Sequence, residues 1–217
     1  VSIVATRDIT IDTVSPSAPV FGLATDTGSS SNDGVTSVGT VTVTGLESGA
    51  TWEYSTNGGE SYTAGTGTSF TLGAATYAIG DVTVRQTDAA GNVSSAGSNA
   101  GAITVDASAP SIATIGVVAG NDLVNASENG SLVISGTGET GATITLGQTG
   151  QTTTVAGGAW SITVADAATS FGQGAESLLV TQTDVAGNVS IVATRDITID
   201  TVSPSAPAIA LATDTGS

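Results

Sequence analysis

The 217-residue chain has no cysteine, no methionine and no histidine, and its three basic residues, Arg7, Arg85 and Arg195, include no lysine. Each absence removes a class of chemistry. Without cysteine there is no disulfide framework, and without cysteine or histidine there is no Cys/His zinc site. A nucleophilic centre of the Ser-His-Asp or Cys-His kind is excluded on the same ground. Aromatics are sparse: two Trp, three Tyr and three Phe. No apolar run approaches the roughly 18 residues of a membrane-crossing helix. What is abundant is acid. Nineteen Asp and Glu give a formal net charge of −16. That charge repels nucleic-acid phosphate and anionic membrane surfaces, so neither nucleic-acid binding nor direct membrane insertion is expected. Acidity with few aromatics is also a mark of disorder. Here 39% of residues are hydrophobic and they alternate along the chain, which argues for folded strands.

The second signal is repetition. Residues 1–19 return letter for letter at 189–207, TDAAGNVS at 87–94 returns as TDVAGNVS at 183–190, and ESGAT at 47–51 returns as ETGAT at 139–143. The common spacing is about 94 residues, the length of one module in a tandem array. The chain opens without a signal-peptide pattern, and the repeats predict an internal slice cut in mid-module at both ends. Residues 1–12 are expected to be the last strand of a truncated preceding module, 13–106 and 107–200 two whole modules, and 201–217 the start of the next.

Period-two alternation predicts strands over residues 41–44, 81–85, 102–105, 132–134, 142–146, 160–164 and 177–180. Gly-bearing turns at 57–59, 88–92, 157–158 and 184–188 separate them. No long helical stripe is present; the nearest is the short 165–170 segment. Trp52 and Trp160 fall in different strands and read as core or sheet-face aromatics. About seven short strands per module, with frequent turns, predict an all-β chain of tandem immunoglobulin-like β-sandwiches. The junctions at 12–19, 106–110 and 200–207 carry proline, so they should be extended and partly stiff.

Threading a sandwich places the incoming linker, the loop after the second strand and the loop before the last strand at one end. Asp12, Glu47, Asp88 and Asn92 then share the incoming end of the first module, and Asp106, Glu139, Asp184 and Asn188 share that of the second. Two like charges ~4 Å apart repel by roughly 1 kcal/mol in water and by about 4 at an effective dielectric of 20. With no lysine to neutralise them, a hard divalent cation is the expected partner. Calcium fits better than magnesium, because it accepts roughly six to eight oxygens in flexible geometry. A second set follows the first strand of each module: Asp26 and Asp33 in the first, Asp122 and Glu128 in the second. Asx-rich turns without a metal explain the same stretches.

In these motifs, together with ATDTGSSSNDGVT at 24–36 and ITIDTVSPSAP at 9–19, the chain resembles the bacterial immunoglobulin-like repeats of giant, type I-secreted RTX adhesins, among them ice-binding and biofilm adhesins. The resemblance implies an extracellular location on the bacterial cell surface and calcium-bound extender modules that hold ligand-binding domains away from the cell. It also implies ligand roles for Asp106, Glu139 and Asp184, with Asp12, Glu47 and Asp88 as counterparts. The second module lacks TDTG and carries NDLVNASE, a departure from the pattern. The partners expected are neighbouring repeats of the same chain, in a monomeric extended rod. The alternative is an adhesive module that binds glycan, ice or a host protein directly. No enzymatic activity is expected: of the first module's Glu47, Glu53 and Glu60, only Glu47 has a counterpart, Glu139, so a glycosidase carboxylate pair is not repeated.

Overall fold

A computed structural model describes residues 7–209. They form two compact units: one runs up to Pro110 and takes in Thr183–Val189, and the other comprises Ser111–Gln182 with residues from Ser190 onward. The two are described separately.

The first unit is built from β1 (Val20–Leu23), β2 (Val35–Thr36), β3 (Thr40–Thr44), β4 (Thr51–Ser55), β5 (Thr63–Ala64), β6 (Ser69–Thr71), β7 (Ala75–Tyr77), β8 (Thr83–Thr87), β9 (Gly97–Ser98) and β10 (Ile103–Val105). They assemble in the orders β1-β3-β6, β2-β10-β7 and β5-β4-β8-β9. All pairs are antiparallel except β2 with β10. Alternation places Val41 and Val43 of β3 inside, with Thr42 and Thr44 outside. Trp52, Phe70, Leu72, Val82, Val84, Ile103 and Val105 complete the core, and Tyr54 stacks on Phe70 with ring centroids 4.2 Å apart.

The second unit contains β11 (Leu123–Asn125), β12 (Leu132–Thr137), β13 (Thr143–Leu146), β14 (Thr152–Thr154), β15 (Ala159–Val164), α1 (Ala167–Phe171), β16 (Gly174–Thr183, all but its last residue) and β17 (Ala193–Asp200). One sheet runs β11-β17-β16-β13-β14 and the other is β12-β15. Leu132 and Ile134 face Trp160, Ile162 and Val164 inside, while Val133 stays half exposed outside. The single turn of helix falls where the sequence has its nearest helical stretch, capped by Asp166, whose carboxylate accepts the Thr169 amide.

The all-β sandwich class therefore stands, and both tryptophans are buried in different strands. Details differ. The first unit breaks into ten short strand pieces where about seven are expected, because loops interrupt its ladders. The strand expected at 81–85 starts at Thr83, because Asp81 is part of a turn: its carboxylate accepts the Ala78 amide at 2.7 Å and its carbonyl the Gly58 amide at 2.8 Å. Of the segment 1–12, residues 7–12 lie outside the strands and are exposed, and 1–6 lie outside the described residues. Within 201–217, residues 201–209 carry no strand, and 210–217 lie outside the described residues. Among the described residues, no helix is long and apolar enough to cross a membrane.

Candidate metal centre

The incoming end of the first unit is organised by a buried glutamine. Val82, Val84 and Gln86 share the inward face leading into and along β8, and all three are 0% exposed. A core position occupied by an amide needs hydrogen-bond partners. Gln86 finds them in three chain segments. Its Oε1 accepts the Glu47 amide at 2.8 Å, and its Nε2 donates to the Gly45 carbonyl at 3.0 Å and to the Ser17 carbonyl at 2.8 Å. The linker is further seated by Pro16 and Pro19, both buried.

The 88–92 turn stands beside it. The turn is closed by the Asp88 amide on the Asn92 carbonyl at 3.0 Å. The Asp88 carboxylate accepts the Ala90 and Asn92 amides and the Asn92 Nδ2, each at 2.8 Å. The Asn92 side chain, followed by these amides, holds the Asp88 carboxyl below its ordinary value. The same Nδ2 donates to the Asp12 carbonyl at 3.2 Å, and the Asp12 carboxylate accepts the Val14 amide at 3.0 Å. Asp12, Glu47, Asp88 and Asn92 therefore belong to segments that hydrogen bonds tie to one end. Glu47 and Asp12 are exposed, and Asp88 is half-buried.

The repeat copies this arrangement. Asn188 donates its amide to Asp184 Oδ1 at 2.8 Å and its Nδ2 to Asp184 Oδ2 at 2.9 Å, and that Nδ2 also meets the Asp106 carbonyl at 2.8 Å. These residues all lie in the first unit. Asp106 accepts the Ser108 amide at 2.9 Å. In the second unit, Gln182 repeats the part of Gln86: it accepts the Glu139 amide at 3.0 Å and donates to the Ser111 carbonyl. Gln86 and Gln182 escape a search for acidic ligands. Their signal is the same glutamine before the TD of both copies, at an inward place of a period-two pattern.

The second acidic set divides. In the first unit, Asp26 Oδ2 accepts the Gly34 amide at 2.9 Å, whereas Asp26 Oδ1 is buried with no partner. Asp33 accepts the Val35 amide at 2.9 Å, and Asp26, Asn32 and Asp33 line a groove of about 550 Å³. In the second unit, Asp122 is held by Arg195, Nε to Oδ1 at 2.7 Å and Nη2 to Oδ2 at 2.6 Å. The guanidinium, then the Val118 amide, lowers the Asp122 carboxyl to about 2. Glu128 accepts the Asn125 amide at 3.1 Å. Among the described residues, no three acidic side chains are gathered closely enough to grip one ion.

Oxygen donors suit calcium, and among the described residues Asp26 Oδ1 is the one buried side-chain polar atom without a hydrogen-bond partner. Asp122 does not fit the same role, because Arg195 already neutralises it. At the incoming ends the asparagines turn their nitrogen to the linker carbonyl, an arrangement complete without an ion.

Residues 114–201 match the family described as bacterial Ig-like domain. No curated protein matches the sequence. Among solved structures, the chain is similar to fibronectin(III)-like modules of CbhA from Clostridium thermocellum, with 11% identity and a TM-score of 0.44, over 75% of this chain and 85% of that one. It is similar to the BSP domain of a biofilm associated protein, with 18% identity and a TM-score of 0.27, over 78% of this chain and 28% of that one. It is also similar to the D00-D0 domain of intimin, with 13% identity and a TM-score of 0.24, over 81% of this chain and 98% of that one. What residues 114–201 are similar to, then, is a bacterial immunoglobulin-like domain.

Proposed function

We propose that the chain is a spacer from a bacterial surface adhesin of the RTX kind, its modules fixed to their linkers by calcium in the extracellular medium. The observation that carries this is the recurring tie between linker, buried glutamine and D-x-A-G-N turn, present around both Gln86 and Gln182. A module that spends a core position on gripping its linker is built to transmit orientation. The orphaned Asp26 Oδ1 and the charge of −16 supply the reason for a cation. In this reading Asp26 and Asp33 hold one ion. Asp12, Glu47, Asp88 and Asn92 draw together around a second when it binds, and Asp106, Asp184 and Asn188, all in the first unit, around a third.

Extracellular modules bind calcium with Kd on the order of 10⁻⁴–10⁻³ M, and an ion at about 100 times Kd adds roughly 2.7 kcal/mol per site. Calorimetric titration of calcium into chelator-treated chain tests the reading. The expected result is saturable binding in that range, weakened by Asp26→Asn and by Asp88→Asn, with a raised unfolding midpoint. Absence of binding at 10 mM-scale calcium, about ten times the weaker Kd, overturns it.

A further inference from the structure

The D-x-A-G-N turns 88–92 and 184–188 have the same internal hydrogen bonds yet different surroundings. Ala186 is 0% exposed, whereas its counterpart Ala90 is exposed. Asp184 is buried and Asp88 only half-buried. The cover over the 184–188 turn is the 25–29 loop, within the same compact unit. Thr27 Oγ1 donates to the Ala186 carbonyl at 2.6 Å, and the Ser29 amide donates to the Val185 carbonyl at 3.3 Å. The backbones meet with no room for side chains. A Cβ on Gly28 would lie 2.0 Å from the Val185 carbonyl oxygen, and a Cβ on Gly187 2.8 Å from the Gly28 nitrogen. Gly91, at nearly the same φ as Gly187 (+97 against +96), has nothing within 4 Å of such a carbon.

We propose that the Thr27-Gly28 loop is a latch whose partner is the D-x-A-G-N turn at 184–188, within the same compact unit, and that it works without metal. Thr27 supplies a directed hydroxyl, and two glycines permit backbone contact. The chain also predicts where latches occur. LATDTGS at 23–29 returns at 211–217, and residues 1–19 return at 189–207, so the sequence repeats every two modules, and the loop between those copies is the unlike Gly120-Asn-Asp-Leu-Val-Asn-Ala-Ser-Glu128. Latched turns are therefore expected once in every two modules. This rests on the tandem-array part of the proposed function and not on calcium.

Hydrogen–deuterium exchange of the whole chain, in calcium and in chelator, tests the latch. Because the internal hydrogen bonds match, the 183–189 peptide should exchange roughly five- to tenfold more slowly than the 87–93 peptide in both solutions. Gly28→Ala should abolish that difference. Gly91→Ala introduces the same backbone strain without the clash and should leave 183–189 protected. Thr27→Val is the milder variant should Gly28→Ala fail to fold, and it should narrow the gap. Equal exchange of the two turns in the unsubstituted chain overturns the latch, as does a Thr27→Val chain with the gap intact. A gap present in calcium and lost in chelator overturns metal independence while leaving the calcium reading standing. A gap present in both, with no calcium bound, upholds the latch and removes the calcium reading.

Discussion

Residues 7–19 and 195–207 have one sequence and two structures. In the second copy, Arg195 to Asp200 form the end of β17, hydrogen-bonded to β16 on one side and β11 on the other, with Ile197 3% and Ile199 1% exposed. In the first copy the equivalent Ile9 and Ile11 are 79% and 83% exposed, and no strand forms. Alternating Ile and Thr are compatible with a strand in both places. What decides is the presence of two partner strands and a core to receive the isoleucines. Strand propensity here expresses the neighbourhood, not the segment. The copies converge again only at their linkers, where Asp12 and Asp200 each accept the amide two residues on, at 3.0 and 3.1 Å, a turn that needs nothing outside itself.

The largest test of that contrast is a matched pair of truncations. Ile199→Ala should cost about 2–5 kcal/mol in denaturant unfolding, whereas Ile11→Ala should stay within about 0.5 kcal/mol. Equal effects would mean that the first copy is packed in solution. Next come the glutamines, where the copies should agree, because their networks match. Gln86→Ala and Gln182→Ala each leave a linker carbonyl and a loop amide without their buried partner and should each cost about 2 kcal/mol. A costly Gln182→Ala beside a silent Gln86→Ala would break the equivalence of the two linker grips. The smallest effect concerns arginine. Arg195→Ala loses the paired hydrogen bonds to Asp122, while Arg7→Ala, its exposed twin, should change nothing measurable. The sign with pH follows from a carboxyl lowered from 3.8 to about 2 in the folded chain. A depressed acid contributes stability that is complete well above pH 3.8 and is lost as pH falls towards 2. The gap between the unsubstituted chain and Arg195→Ala should therefore narrow over that window, leaving the share carried by the Arg195 Nη1 bond to the Ile115 carbonyl; a gap as wide at pH 2 as at neutral pH would contradict the pairing.

Much of the sandwich is legible in the sequence, because valine, isoleucine and threonine alternate and glycines mark the turns. Leu132 to Thr137 and Ala159 to Val164 are plain on those grounds. Other parts are not. Gln86 and Gln182 are polar residues at inward positions, and composition alone gives no account of carbonyls brought from 69 and 71 residues away. The acidic loops were legible as loops and not as chemistry. Asp26 and Asp122 read alike in sequence, yet Arg195, distant along the chain, satisfies one of them, while an oxygen of the other stays without a partner. The latch depends on a close approach of two backbones, which no single segment encodes.

Bound calcium is proposed to fix the modules to their linkers. Small-angle scattering of the whole chain, in millimolar calcium and after chelation, tests it most directly. The account predicts a longer maximum dimension and a narrower distance distribution with the ion present. Superimposable curves in the two solutions would contradict it.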